Sequence, residues 1–145
     1  MMIKKATQEE LHTLAQLAIL LWPDHTLDEL EDEFLEYIEK EDATFYIAYK
    51  DDISVGFAQC QLRYDYVEGT SSSPVGYLEG IFIKEEYRNQ GYASRLLKEC
   101  ENWAKTLGCG EFASDCELSN QDSLVFHLTV GFEEANRIIC FTKKL

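Results

Sequence analysis

No stretch of this 145-residue chain approaches the roughly 20 consecutive apolar side chains that cross a bilayer. The opening run, Met1-Met2-Ile3-Lys4-Lys5-Ala6, has no signal-peptide core and leads into polar, helix-like sequence, so a cytoplasmic protein is expected. The five cysteines, Cys60, Cys100, Cys109, Cys116 and Cys140, are odd in number, form no CxxC pair and have no histidine at zinc-site spacing. Neither a disulfide framework nor a metal site is expected, and most of them read as reduced core or surface thiols. Positive charge is scarce: 13 Lys and Arg face 27 Asp and Glu, a formal net charge of −14. That balance argues against nucleic acid and against an anionic membrane surface, where phosphate repulsion would oppose every encounter, and favours a cationic partner. Repeats, low-complexity segments and linkers are absent as well, and the length suits one domain over residues 1–145.

The acids are unevenly spread. Asp24 to Asp42 holds ten of them against the single Lys40, a local −9 that leaves −5 for the rest of the chain. Most of these acids fit the solvated face of an amphipathic helix from about Leu27, whose other face carries Leu30, Phe34, Tyr37 and Ile38. An earlier helix is predicted from Thr7, with Glu10 at the capping-box position and Leu11, Leu14, Ala15, Ala18 and Leu21 at helical spacing. It should stop at Trp22-Pro23, because the residue before proline avoids helical geometry.

From Thr44 the pattern becomes strand-like. Thr44–Tyr49 and Ser54–Tyr64 read as a hairpin around Asp51-Asp52, and a polar loop over Val67–Pro74 leads to a strand at Val75–Ile83. A helix from about Gly91 to Leu107 follows and ends at Gly108. A short strand at Glu111–Asp115, a helix from about Asn120 to Val130 and a final strand at Arg137–Lys143 complete the chain. Order and lengths predict an α/β (α+β) domain: a mixed sheet with helices on its faces.

The chemistry is concentrated between Tyr77 and the helix after Gly91. The run Tyr77-Leu-Glu-Gly-Ile-Phe-Ile83 is followed by Lys84-Glu85-Glu86-Tyr87 and then by Arg88-Asn89-Gln90-Gly91-Tyr92-Ala93. Glycine at 91 and a small residue at 93 allow a tight turn whose N–H groups point outward where the helix begins, and such a terminus attracts phosphate oxygens. The segment is neither a P-loop nor a dinucleotide fingerprint, since the Gly-Lys-Ser/Thr ending and two of three glycines are missing. Taken alone it fits an ordinary strand–helix connection equally well. Glu79 stands in an otherwise apolar strand, where an acid is costly unless it is paired or at a pocket edge.

The pattern R-x-x-G-x-A after a hydrophobic strand, with Asn120, His127 and Gly131-Phe132 downstream, resembles the GCN5-related N-acetyltransferase (GNAT) superfamily over the C-terminal half. The resemblance implies a single-domain GNAT fold with a mostly antiparallel mixed sheet and acetyl-CoA as the acetyl donor. It further implies that the backbone of Ile81, Phe82 and Ile83 holds the acetyl-pantetheine arm. Arg88, Asn89, Gln90, Gly91, Tyr92, Ala93 and Ser94 would hold the pyrophosphate, and Asn120 the pantetheine end.

Over nearly its full length the chain is similar to the aminoglycoside 6′-N-acetyltransferases. The matching pieces are Leu21-Trp-Pro-Asp-His25, Tyr64-Asp-Tyr-Val-Glu-Gly69, Ser72-Ser-Pro74, Tyr77-Leu-Glu-Gly-Ile-Phe82, Glu111-Phe-Ala-Ser-Asp115 and His127 through Gly131-Phe132. The similarity implies that Trp22, His25, Tyr66, Glu79, Asp115 and Asn136 belong to the substrate site. Asn136 departs from relatives that carry a substrate-contacting acid there. It also implies a homodimer, with the Tyr66–Pro74 region reaching a partner subunit.

Acetyl transfer needs a neutral amine, a polarised thioester and a proton for the leaving thiolate. Glu79 and Asp115 can orient an ammonium and take its proton directly or through water, although as anions they also stabilise its charged form. A backbone N–H in the Ile81–Ile83 strand can polarise the carbonyl. His127, at a place where many superfamily members have tyrosine, is either the thiolate's acid or a satisfied helix histidine. Two other functions share the cofactor segment: acetylation of a polyamine or of a protein or peptide amine, and non-catalytic CoA binding. The acidic pair argues against the last.

Overall fold

The computed structural model describes all 145 residues. Five strands form one sheet in the order β1-β2-β3-β4-β5, comprising β1 (Met2–Lys5), β2 (Ala43–Lys50), β3 (Ile53–Arg63), β4 (Val75–Ile83) and β5 (Phe112–Ser114). The first four run antiparallel to their neighbours, and β5 joins β4 in parallel. Four helices, α1 (Leu11–Leu21), α2 (Leu27–Ile38), α3 (Tyr92–Thr106) and α4 (Gln121–Thr129), complete the mixed, mostly antiparallel α/β architecture.

Alternation along the central strands sorts the core into two layers. Phe45, Ile47 and Phe57 face α1 and α2, where they meet Leu14, Leu17, Ala18, Leu30 and Phe34. Tyr46, Ala48, Val55 and Ala58 face α3, where they meet Leu96, Leu97, Cys100 and Trp103. In β4 the alternation changes phase. Gln59 pairs with Gly80 and Cys60 with Leu78, so Glu79 is an extra residue on β4, a bulge. Before it, Leu78 faces α3; after it, Ile81 and Ile83 do, and Phe82 turns to the α1 side. Gly80 also turns toward α1, where a Cβ would lie 2.7 Å from the Trp22 ring, so only glycine permits that approach.

The hairpin, α2, β4 and α3 fall close to their predicted bounds. The two termini differ from the sequence reading, one by an added strand and one by a missing strand. At the N-terminus the sequence announces no strand, yet Met2–Lys5 form β1 ahead of the expected helix, and pairing with Ala48 carries Ile3 against the α3-side core. The strand predicted at Arg137–Lys143 is not formed: those residues have no helix or strand, and Ile138, Ile139 and Phe141 stand exposed. A strand needs a neighbour to pair with, and this segment pairs with none of the sheet's open edges.

Thr7 and Glu10 form the expected capping box over a single 3-10 turn that leads into α1. The buried Glu10 carboxylate accepts from the Thr7 N–H at 3.2 Å and pairs with Lys4 Nζ of β1 at 2.8 Å, so one acid ties β1 to α1. Burial pushes its carboxyl up, but Lys4 and Thr7 outweigh that and hold it below the usual range. A carboxyl depressed in the folded state stabilises above its unfolded pKa, and that contribution fades as pH falls through the folded value. Glu10→Gln is therefore expected to cost about 1 kcal/mol at pH 7. In urea unfolding the deficit should shrink as pH falls below about 4, the ordinary glutamate range.

Candidate active site

Strand β5 pairs with β4 only at Gly76–Leu78, opposite Phe112–Ser114. Beyond Leu78 the two strands part, and the β5-facing edge of Glu79–Ile83 has no strand partner. Backbone N–H and C=O groups on such an edge are free to bond an extended ligand, as they would a strand.

The turn after this edge is held by Arg88, whose Nε donates to the Ile83 carbonyl at 2.8 Å while its guanidinium lies 5.5 Å from the Phe82 ring. Asn89 and Gly91 both take left-handed backbone conformations, with φ of 62° and 88°. The Arg95 N–H bonds the Gly91 carbonyl, which leaves the N–H groups of Tyr92, Ala93 and Ser94 ahead of it at the positive end of a 15-residue helix. A Cβ at Gly91 would meet nothing within 4 Å, so the surface above these donors is open. No acid lies in the first turn. The Tyr92 side chain itself is buried in the core, against Tyr87, and Gln90 is turned back onto the Glu86 carbonyl. Tyr92 can therefore offer a ligand its backbone only. These features fit a pyrophosphate at α3 and an extended pantetheine arm along β4.

Where β4 bulges, the acids are gathered. Glu79 is not a lone carboxylate: Arg63, at the end of β3, donates to it twice, from Nε to Oε2 at 3.0 Å and from Nη2 to Oε1 at 2.6 Å. On its way the guanidinium crosses the face of Tyr77, 3.4 Å from the ring centroid. The Tyr77 hydroxyl in turn donates to Asp115 Oδ2. Glu79 and Asp115 are thus joined by a relay of Arg63 and Tyr77. The bond to Glu79 raises the Arg63 pKa further, and burial followed by the bond to Asp115 pushes the Tyr77 phenol well above its ordinary value, so both remain protonated. Trp22, half-buried at the end of α1 just before the acidic segment, packs edge-on to Phe57 and brings its ring against Gly80, next in sequence to Glu79.

The remaining candidates fall into smaller groups. His127 on α4 donates from Nδ1 to the Ser123 carbonyl at 2.7 Å, and its Nε2 lies 2.8 Å from the Ser114 hydroxyl at the end of β5. Both ring nitrogens are engaged, as in a satisfied helix histidine, yet the second contact points toward the opening beyond β5. Asn120 caps α4 by accepting from the Ser123 N–H at 3.1 Å, which leaves its amide NH2 free. Tyr66 is largely exposed beside a cavity of about 360 Å³ formed by Tyr64–Val67 and Thr70–Ser73. Its hydroxyl donates to Glu68, and the Asn136 amide donates to the other oxygen of that carboxylate at 2.9 Å. His25 lies 3.5 Å from Glu29 in the acidic segment, apart from these contacts.

Arg63 and Glu68 were not among the residues singled out from sequence. An arginine ending a strand of an acidic chain is a faint signal, and its reach along β4 depends on a register that no local pattern specifies. Glu68 lay within a matched motif but joins Tyr66 and Asn136 only in three dimensions.

The acetyltransferase (GNAT) family profile matches residues 11–132. An aminoglycoside N(6′)-acetyltransferase type 1 from Acinetobacter baumannii is 39% identical over 146 aligned residues, covering 100% of this chain and 99% of that protein. One from Serratia marcescens is also 39% identical, over 99% of each. Among solved structures, AAC(6′)-Iy in complex with the bisubstrate analogue CoA-S-monomethyl-acetylneamine has a TM-score of 0.95 at 35% identity, covering 99% of this chain and 98% of that one. AAC(6′)-Ih from Acinetobacter baumannii has a TM-score of 0.94 at 39% identity over the same shares. With a family profile spanning most of its length and relatives aligned end to end, the chain belongs to the acetyltransferase (GNAT) family and, within it, to the aminoglycoside N(6′)-acetyltransferases.

Proposed function

We propose that this protein transfers the acetyl group of acetyl-CoA to the 6′-amine of aminoglycoside antibiotics, and that the resulting loss of a cation confers resistance. The juxtaposition of an unpaired β4 edge with the Glu79–Asp115 relay, in a chain of net charge −14, carries this assignment. Acetyl-CoA supplies a thioester carbonyl open to attack by a neutral amine. The α3 terminus and Arg88 hold its phosphates, and the Ile81–Ile83 backbone aligns its arm and offers an N–H to the charge that develops on the carbonyl oxygen.

Glu79 and Asp115 orient the acceptor amine, and one of them, directly or through water, takes its proton. Trp22 and Tyr66 flank the sugar, and the Glu68–Asn136 pair extends the acidic wall. His127 passes a proton through Ser114 toward the departing thiolate, a step that requires the imidazolium because Nε2 of the neutral ring accepts from that hydroxyl.

The homodimer belongs to the same proposal. The Arg137–Lys143 segment is strand-like in sequence, unpaired and apolar, with Phe141 87% exposed, and β5 is a three-residue edge. Pairing with a second copy would satisfy the backbone and cover the apolar side chains.

Thiol release from acetyl-CoA is expected with a kanamycin-type aminoglycoside and not with spermidine or a basic peptide; turnover of only the latter two would contradict the acceptor. Glu79→Gln and Asp115→Asn should each lower kcat/KM about ten- to hundredfold, equivalent to about 1.4–2.7 kcal/mol. His127→Ala should lower kcat at neutral pH on the order of a hundredfold. By light scattering the full chain is expected to be a dimer, and truncation after Asn136 a monomer.

A further inference from the structure

We infer that Arg63 sets the charge state of the acceptor amine: it stays paired with Glu79 during turnover and keeps the acidic cleft from trapping the amine as an ammonium. This rests on the acetyl-transfer reading above and names a positioning residue for it. The amine must be neutral to attack a carbonyl, whereas two bare carboxylates would favour its protonated form. An opposite charge within about 4–6 Å raises an amine's pKa by roughly 1–3 units, and a like charge lowers it by a similar amount.

The geometry resolves that conflict. Arg63 is fixed at three points: the two bonds to Glu79, at 3.0 and 2.6 Å, and the stack 3.4 Å over Tyr77. Its fork uses one lone pair on each Glu79 oxygen, and each oxygen keeps another for the acceptor. Tyr77 is spent on Asp115. The relay therefore carries a net charge of −1 where Glu79 and Asp115 alone would carry −2, and the acceptor nitrogen meets a guanidinium beside the carboxylate that orients it. An arginine suits this position because it is planar, always charged and able to stack, and a lysine supplies the charge without the fork.

The groups facing Arg63 are few. From β4 they are Tyr77 and Glu79, and from the end of β5 Asp115. Cys60 of β3 lies near Glu79, but burial pushes its thiol up and keeps it neutral. His127 on α4 is turned to Ser114.

The test is the pH dependence of kcat at saturating aminoglycoside and acetyl-CoA, because kcat reports the groups of the bound complex. In Arg63→Gln the ascending limb should move up by about one pH unit, which is about tenfold in kcat on the acidic side. The alkaline plateau should match the wild type, and KM for the polycation at pH 7 should fall. Arg63→Lys should keep the limb within about 0.3 unit of the wild type. Arg63→Met, a second neutral variant, should show the same upward shift and carries the test if the glutamine variant at 63 does not fold. A loss independent of pH, an unmoved limb in Arg63→Gln, or Arg63→Lys behaving like Arg63→Gln would overturn the inference. Absence of aminoglycoside turnover in the unsubstituted protein would instead overturn the acetyl-transfer reading beneath it.

Discussion

Strands β4 and β5 pair over three residues and then separate, and the open backbone edge and the bulged Glu79 of the candidate site lie where they part. The paired end, Gly76–Leu78, is packed tightly enough that a Cβ at Gly76 would lie 2.7 Å from Ala104 of α3. Beyond it, a bulge at Glu79 reverses the alternation of β4, so that Ile81 and Ile83 return to the α3-side core while Gly80 and Phe82 turn toward α1. A regular β4 would carry one unbroken ladder across the sheet; the bulged and partly unpaired one offers a backbone edge on one side and a carboxylate at its rim. The helix that follows begins at the far end of the same edge, so a ligand running along β4 meets unpaired N–H donors where its phosphates would lie.

Charge is partitioned to match. The whole protein is strongly acidic, yet the α3 terminus has no acid in its first turn and has Arg88 beside it. In the proposed function the opposite requirement, attraction of a polycation, falls to the Asp24–Asp42 segment together with Glu68, Glu79 and Asp115. Attraction alone would stall the chemistry, because the best electrostatic trap for an ammonium is a poor place to deprotonate one. The inferred role of Arg63, paired with Glu79, is to lessen that opposition while leaving the surroundings acidic enough to draw the substrate in.

Much of the fold could be read from sequence because its signals are local. The Thr7–Glu10 box, the Trp22-Pro23 stop, the Asp51-Asp52 turn and the Gly91 entry to α3 each act within a few residues, and the structure places their elements close to where they were expected. Failures came at the termini, where pairing decides. Met2–Lys5 is too short and too polar to announce a strand, and it becomes one only because β2 offers an edge. Arg137–Lys143 has the composition of a strand but pairs with no edge of its own chain. The site divides in the same way. Glu79, in an apolar strand, and Gly91, before a helix, could be singled out from their neighbours in sequence. The Arg63 fork, the Tyr77 stack and the Glu68–Asn136 bond depend on register and long-range approach, which no neighbouring residue encodes.

In the proposed function two separable surfaces meet at β4, a backbone edge for the acetyl donor and a carboxylate relay for the cationic acceptor. Calorimetric titration of the Glu79→Gln/Asp115→Asn double variant with CoA, and separately with an aminoglycoside, tests it most directly. CoA affinity within about twofold of the wild type is expected, with aminoglycoside affinity weakened by more than about tenfold, since only charge-assisted contacts are removed. Aminoglycoside binding that survived both substitutions, or CoA binding lost along with it in a protein that still unfolds cooperatively, would contradict the claim.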